Sequence, residues 1–81
     1  MSKYITVRQN PNNPVEWQVM IDMRAAIAAG DAPARPLPES GICIQTYGGY
    51  PDGRWIADDG EDTVCATQAE AEALTIADAI R

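Results

Sequence analysis

The sequence predicts an α+β domain: an antiparallel sheet of four or five strands with a C-terminal helix packed on one face. Three observations carry that expectation. Several segments alternate apolar and polar residues, Gly- and Pro-bearing turns separate them, and the chain ends in a capped stretch of helical period.

The first segment, "KYITVRQ", sets Ile5 and Val7 on one face and Tyr4, Thr6 and Arg8 on the other, which is the period of a strand. "NPNNP" at 10–14 follows as a turn, because each proline denies the residue before it the helical region. "VEWQVMIDM" then places Val15, Trp17, Val19, Ile21 and Met23 on one face and Glu16, Gln18, Met20 and Asp22 on the other. The two strands read as an antiparallel hairpin, with Trp17 and, further on, Trp55 as core residues. "RAAIAAG" fits one or two helical turns closed by Gly30. The segment 31–40, "DAPARPLPES", carries three prolines and reads as an irregular, extended, mobile connection. "GICIQTYGG" resumes the alternation, with Ile42 and Ile44 opposed to Cys43 and Gln45. "YPDGRW" is a tight turn, and "RWIAD", the acidic "DDGED" and "TVCAT" complete a meander.

Thr67 with Glu70 three residues later forms a capping box opening a helix through "QAEAEALTIADAIR". At about 100° per residue, Ala69, Ala73, Ile76 and Ile80 make one stripe with Ala77 at its edge, while Glu70, Glu72, Thr75 and Asp78 lie off it. The expectation is that this stripe lies on the sheet. Leu74 stands roughly 130° from the stripe centre, which makes it a candidate for self-association.

With 81 residues, the chain has material for one domain, 1–81, and for a core small enough to gain from a partner or from oligomerisation. Its apolar content of 46% is sufficient for a folded core. No run of about 18 apolar residues and no apolar leader occurs, so the expectation is a soluble, cytoplasmic protein with no membrane contact. Cys43 and Cys65 have neither the spacing nor the histidines of a zinc site and read as reduced, half-buried thiols.

The net charge of −6 is unevenly placed. Acids and bases cancel through residue 51. Eight acids from Asp52 to Asp78 then face only Arg54 and Arg81. Direct nucleic-acid binding is disfavoured, since no cluster of bases is available to neutralise phosphates. The chain has no histidine, so the commonest general base is missing, and no Gly-rich phosphate cradle is present. No cofactor is expected, and no enzyme.

The segment "DDGED" fails as a calcium loop: with Gly60 at the sixth place, Trp55 and Ala57 fall where carboxylates are required. It also lacks the burial that raises one member of a catalytic carboxylate pair. Two readings stay open: a solvated hairpin turn, or a negative surface for a positively charged partner. In the second, Asp58, Asp59, Glu61 and Asp62 are electrostatic contacts, and Tyr47 and Tyr50, flanking Gly48–Gly49, are aromatic anchors. Packing of the two tyrosines across strands is the alternative for the rings.

Small, acidic and strand-first, with the "ADDGED" turn and the terminal "TQAEAEALTIADAIR", the chain resembles in style the small proteins of phages and mobile elements, anti-CRISPR proteins among them. That resemblance implies an inhibitor in the host cytoplasm that binds a CRISPR effector complex and blocks guide or target engagement, its carboxylates standing where phosphates would. It assigns no residue by position. The second function class is a small structural or accessory phage protein acting as a homo-oligomer, such as a homodimer, through an exposed sheet face and Leu74.

Overall fold

Strand alternation and turn chemistry fix most of the architecture. The structure, a computed structural model, describes residues 3–81. They build an antiparallel meander of β1 (Ile5–Asn10), β2 (Asn13–Asp22), β3 (Ile42–Gly49), β4 (Trp55–Ala57) and β5 (Thr63–Cys65), whose spatial order is the chain order. A short helix, α1 (Met23–Ala28), follows β2, and α2 (Gln68–Ile80) follows β5 and lies across one face. This is the α+β fold expected.

Register assigns the two faces. Ile5 and Val7 stand opposite Ile21 and Val19, which stand opposite Cys43 and Gln45, and Trp17 pairs with Tyr47. Those residues form the inner face, with Ala57 opposite Tyr47 and Cys65 opposite Trp55. Val19, Ile21 and Met23 are at most 1% exposed. Burial of each contributes about 1.5–3 kcal/mol. Val15, expected on this face, is 53% exposed, because it precedes the first β2–β3 pair, Glu16 with Gly48, and lies outside the packed core. Met23 is buried, but as the first residue of α1 rather than the end of a strand. Asp22 caps that helix, its carboxylate accepting from Ala25 N at 3.2 Å, and the chain turns off at Gly30.

Segment 31–40 has no regular structure, as the prolines require, but it is fastened. Arg35 donates to the carbonyl of Arg81 at 2.7 Å and to that of Ala79, Arg24 donates to the carbonyl of Glu39 at 2.9 Å, and Tyr4 donates its hydroxyl to Asp31 at 2.5 Å. Ala32 and Leu37 pack on the core. A guanidinium set against the carbonyls at the end of α2 satisfies that helix end and ties the segment to it at once.

The sheet-facing stripe of α2 also differs from the expected one. Ala71, Thr75 and Ala79 are buried, whereas Ala69 and Ala73 are exposed and Ile76 and Ile80 only flank the core. Small residues let the helix backbone approach the sheet, and the bulkier isoleucines fill the side of the contact. Thr75 tolerates full burial because its hydroxyl donates to the carbonyl of Ala71 at 2.8 Å. The helix start matches the sequence reading: Thr67 Oγ1 accepts from Glu70 N at 3.2 Å.

Candidate functional site: the open sheet face and its acidic margin

The turn between β4 and β5 is organised by one of its own acids. Asp59 Oδ1 accepts from Glu61 N at 3.0 Å and Thr63 N at 3.3 Å, and Oδ2 accepts from the Thr63 hydroxyl at 2.6 Å. The Thr63 hydroxyl above all, with the Glu61 amide, holds this carboxyl below its ordinary range. Asp59 is thus engaged within the loop, unlike the other three acids expected as partner contacts. The carboxylates of Asp58, Glu61 and Asp62 make no hydrogen bond or ion pair among the described residues and remain available; Asp62 takes the left-handed φ of 52° that aspartate tolerates better than most residues.

Tyr47 also leaves the set of surface anchors. It lies in β3, not on a loop, and is 2% exposed. Its ring stacks on Trp17 at 6.4 Å between centroids and packs against Trp55 at 6.0 Å. Gln68 donates to its hydroxyl at 3.1 Å, and burial pushes the phenol pKa up. Gly49 makes room for this cluster, since a Cβ there would come within 3.1 Å of the Trp55 ring. Both tryptophans are half-buried, consistent with the core reading. Tyr50, in contrast, is 49% exposed, with the Arg54 guanidinium 5.6 Å from its ring centroid. Arg54 in turn pairs with Asp52 at 2.7 Å across the turn that Gly53, at φ 91°, allows to close.

Among the described residues, the face of the sheet opposite α2 is open, bordered at its Met20 end by Ala25 and Ala29 of α1. Three rows cross it. Thr6, Met20 and Ile44 form one; Glu16, Gly48, Ile56 and Val64 form another. Between them runs Arg8, Gln18 and Thr46, and the pairing of Tyr47 with Ala57 and of Ala57 with Thr63 carries that row on to Asp58 and Asp62. Ile44 and Val64 are 56% and 54% exposed. Because Gly48 has no side chain, it floors a depression of about 310 Å³, walled by Thr46, Tyr50, Ile56, Glu16, Asp58 and Asp62. Two of the expected contact acids and one expected anchor therefore meet in one place.

Glu61 and Leu74 meet elsewhere, in a depression of about 210 Å³ beside Asp78 and Arg81. Asp78 is engaged by Arg81 and by Gln45 Nε2 at 3.0 Å, so it adds little to any free negative field. The Arg8, Met20, Ile44, Ile56 and Val64 positions were not singled out as site residues by sequence reasoning. Their signal was the outward set of each alternating strand, in which Met20 and Ile44 are apolar where a solvated face takes polar residues.

Among the described residues, no group of three or more His, Cys, Asp or Glu side chains is placed to hold a metal ion, and no helix is long and apolar enough to cross a membrane. Cys43 and Cys65 are free thiols. Burial raises the pKa of Cys65, with the charges of Glu70 and Asp59 adding to the effect. Compared with protein-family models, curated proteins and solved structures, the chain matches none.

Proposed function

We propose that the protein is a non-catalytic binding protein that blocks a nucleic-acid-binding protein complex, its unpaired carboxylates occupying a basic surface kept for phosphates. The observation that carries this reading is the acidic turn. Asp59 stiffens it from within, and the carboxylates of Asp58, Glu61 and Asp62 pair with no base among the described residues. Preorganised carboxylates of one sign speed encounter with a basic surface and lose no local hydrogen bonds on binding. The resemblance to anti-CRISPR proteins makes a CRISPR effector complex the first partner to test. A small accessory protein working as a homo-oligomer is the second reading, favoured by the apolar residues of the open face.

The test is competition. Added to an effector complex and labelled target DNA, the protein is expected to reduce DNA binding. Substituting Asp58→Asn, Glu61→Gln and Asp62→Asn together should restore it, mainly by slowing association of the protein with the complex. Inhibition should also weaken steeply as salt rises past about 0.15 M, where the screening length is near 8 Å. Inhibition that ignores salt and survives the triple substitution removes the acidic-surface reading.

A further inference from the structure

We infer that the open sheet face closes on a second copy of this chain, forming a twofold sandwich whose axis runs along the strands. The first ground is chemical. Met20, Ile44, Ile56 and Val64 lie on the face that α2 leaves bare, and Ile44 and Val64 are more than half exposed. An antiparallel sheet with one wet face alternates apolar inside with polar outside; two of the three rows on this face do not.

The second ground is charge, and it selects the symmetry. One row carries Arg8 at the β1 margin and Asp58 and Asp62 at the β5 margin. A twofold axis along the strands reverses strand order and preserves level along each strand. It therefore lays β1 of one copy over β5 of the other and sets Arg8 against Asp58 and Asp62 of the partner subunit, twice over. An axis across the strands instead lays Arg8 on the partner subunit's Arg8. Arg8 is already oriented by its Nε, which donates to Gln18 at 2.8 Å, leaving its terminal nitrogens for a further acceptor.

The apolar residues supply the affinity and the charges supply the register. The thirty strand residues, spaced about 4.8 Å between strands and about 3.3 Å along them, offer roughly 480 Å² per copy, against about 800 Å² for a standard interface. The dimer is thus concentration-dependent. The inference rests on this face and not on the inhibitor reading, so its failure leaves partner binding to its own test.

Sedimentation equilibrium of the full chain from about 5 µM to about 1 mM reads it directly. The mass is expected to rise from 8.8 kDa toward twice that value, and Ile44→Asp should hold it at the monomer with unchanged circular dichroism. Arg8→Asp alone, and Asp58→Arg with Asp62→Arg, should each weaken self-association about tenfold or more. Mixing those two defective proteins should restore the dimer, because each facing row then joins opposite charges. A wild-type chain that stays monomeric throughout the range overturns the inference, as does a dimer that survives Ile44→Asp or a mixture that fails to associate. A monomer that binds polyarginine through Asp58 and Asp62 while never self-associating assigns the face to a basic partner and overturns it as well.

Discussion

Asp58 and Asp59 are neighbours of the same type with different work. Asp59 accepts three hydrogen bonds within its own turn, while Asp58 faces the depression over Gly48. Asp59→Asn should lower Tm, since two backbone amides and a hydroxyl lose a charged acceptor, and Asp58→Asn should leave it nearly unchanged. The pH dependence has a definite sign. The Asp59 carboxyl is held below its ordinary value in the folded chain, so its contribution is complete above the unfolded pKa and is lost as pH falls through the folded one. Thermal melts of wild type and Asp59→Asn between about pH 2 and pH 5 should converge toward the acid end. Tyr47 offers the second contrast. Tyr47→Phe removes only the bond from Gln68 and should cost about 0.5–1.5 kcal/mol, whereas Tyr47→Ala also empties the space between two indoles and should cost about 3–5 kcal/mol. Equal losses in urea titrations of the two variants remove the ring from the core.

At the level of elements, α2 separates what periodicity reveals from what packing decides. The Ile-rich sector at Ile76 and Ile80 is the more apolar side, yet the sheet takes the sector of Ala71, Thr75 and Ala79. Ala71→Leu should therefore overpack the helix–sheet contact and cost about 1–3 kcal/mol, while Ala69→Leu on the exposed side should stay within about 0.5 kcal/mol, both read from chemical denaturation. If the two variants prove equally stable, the helix is turned to its Ile face instead. The existence of each strand, a turn within 10–14 and one at 50–54, the Thr67 cap and the end of α1 at Gly30 were all legible, because short-range rules fix them, although β2 already begins at Asn13 rather than after Pro14. What was not legible depends on contacts far apart in the chain. Arg35 reaches 44 and 46 residues ahead to fasten the proline-rich segment. The burial of Tyr47 depends on Trp17 and Trp55 arriving from two other strands. Choice of helix face is likewise set by volume and by a threonine that bonds its own backbone, neither of which a hydropathy pattern records. The candidate site was half visible for the same reason: Tyr50, Asp58 and Asp62 stand out as residue types, but only the sheet register brings them to Gly48, Glu16 and Ile56.

Over the whole molecule, acids outnumber bases twelve to six, and only two ion pairs form among the described residues. Both of those lie off the open face, one at Arg54 and Asp52 and one at Arg81 and Asp78. The carboxylates left over include the two that the dimer sets against Arg8 and that a basic partner would also take. Self-association and partner binding therefore draw on the same groups and are linked through mass action. Since only the monomer presents Asp58 and Asp62, the apparent dissociation constant for the partner is the intrinsic one divided by the monomer fraction. Isothermal titration with the effector complex, or with polyarginine as a stand-in, should thus give weaker apparent binding as the protein concentration is raised through its own dimerisation range. Ile44→Asp removes the competing equilibrium without touching the carboxylates, and its apparent affinity should not change with concentration. A wild type and an Ile44→Asp variant that bind with the same affinity at every concentration would show that the two surfaces are separate, and would move the partner contact to Glu61 and the depression it shares with Leu74 on the other side of the turn.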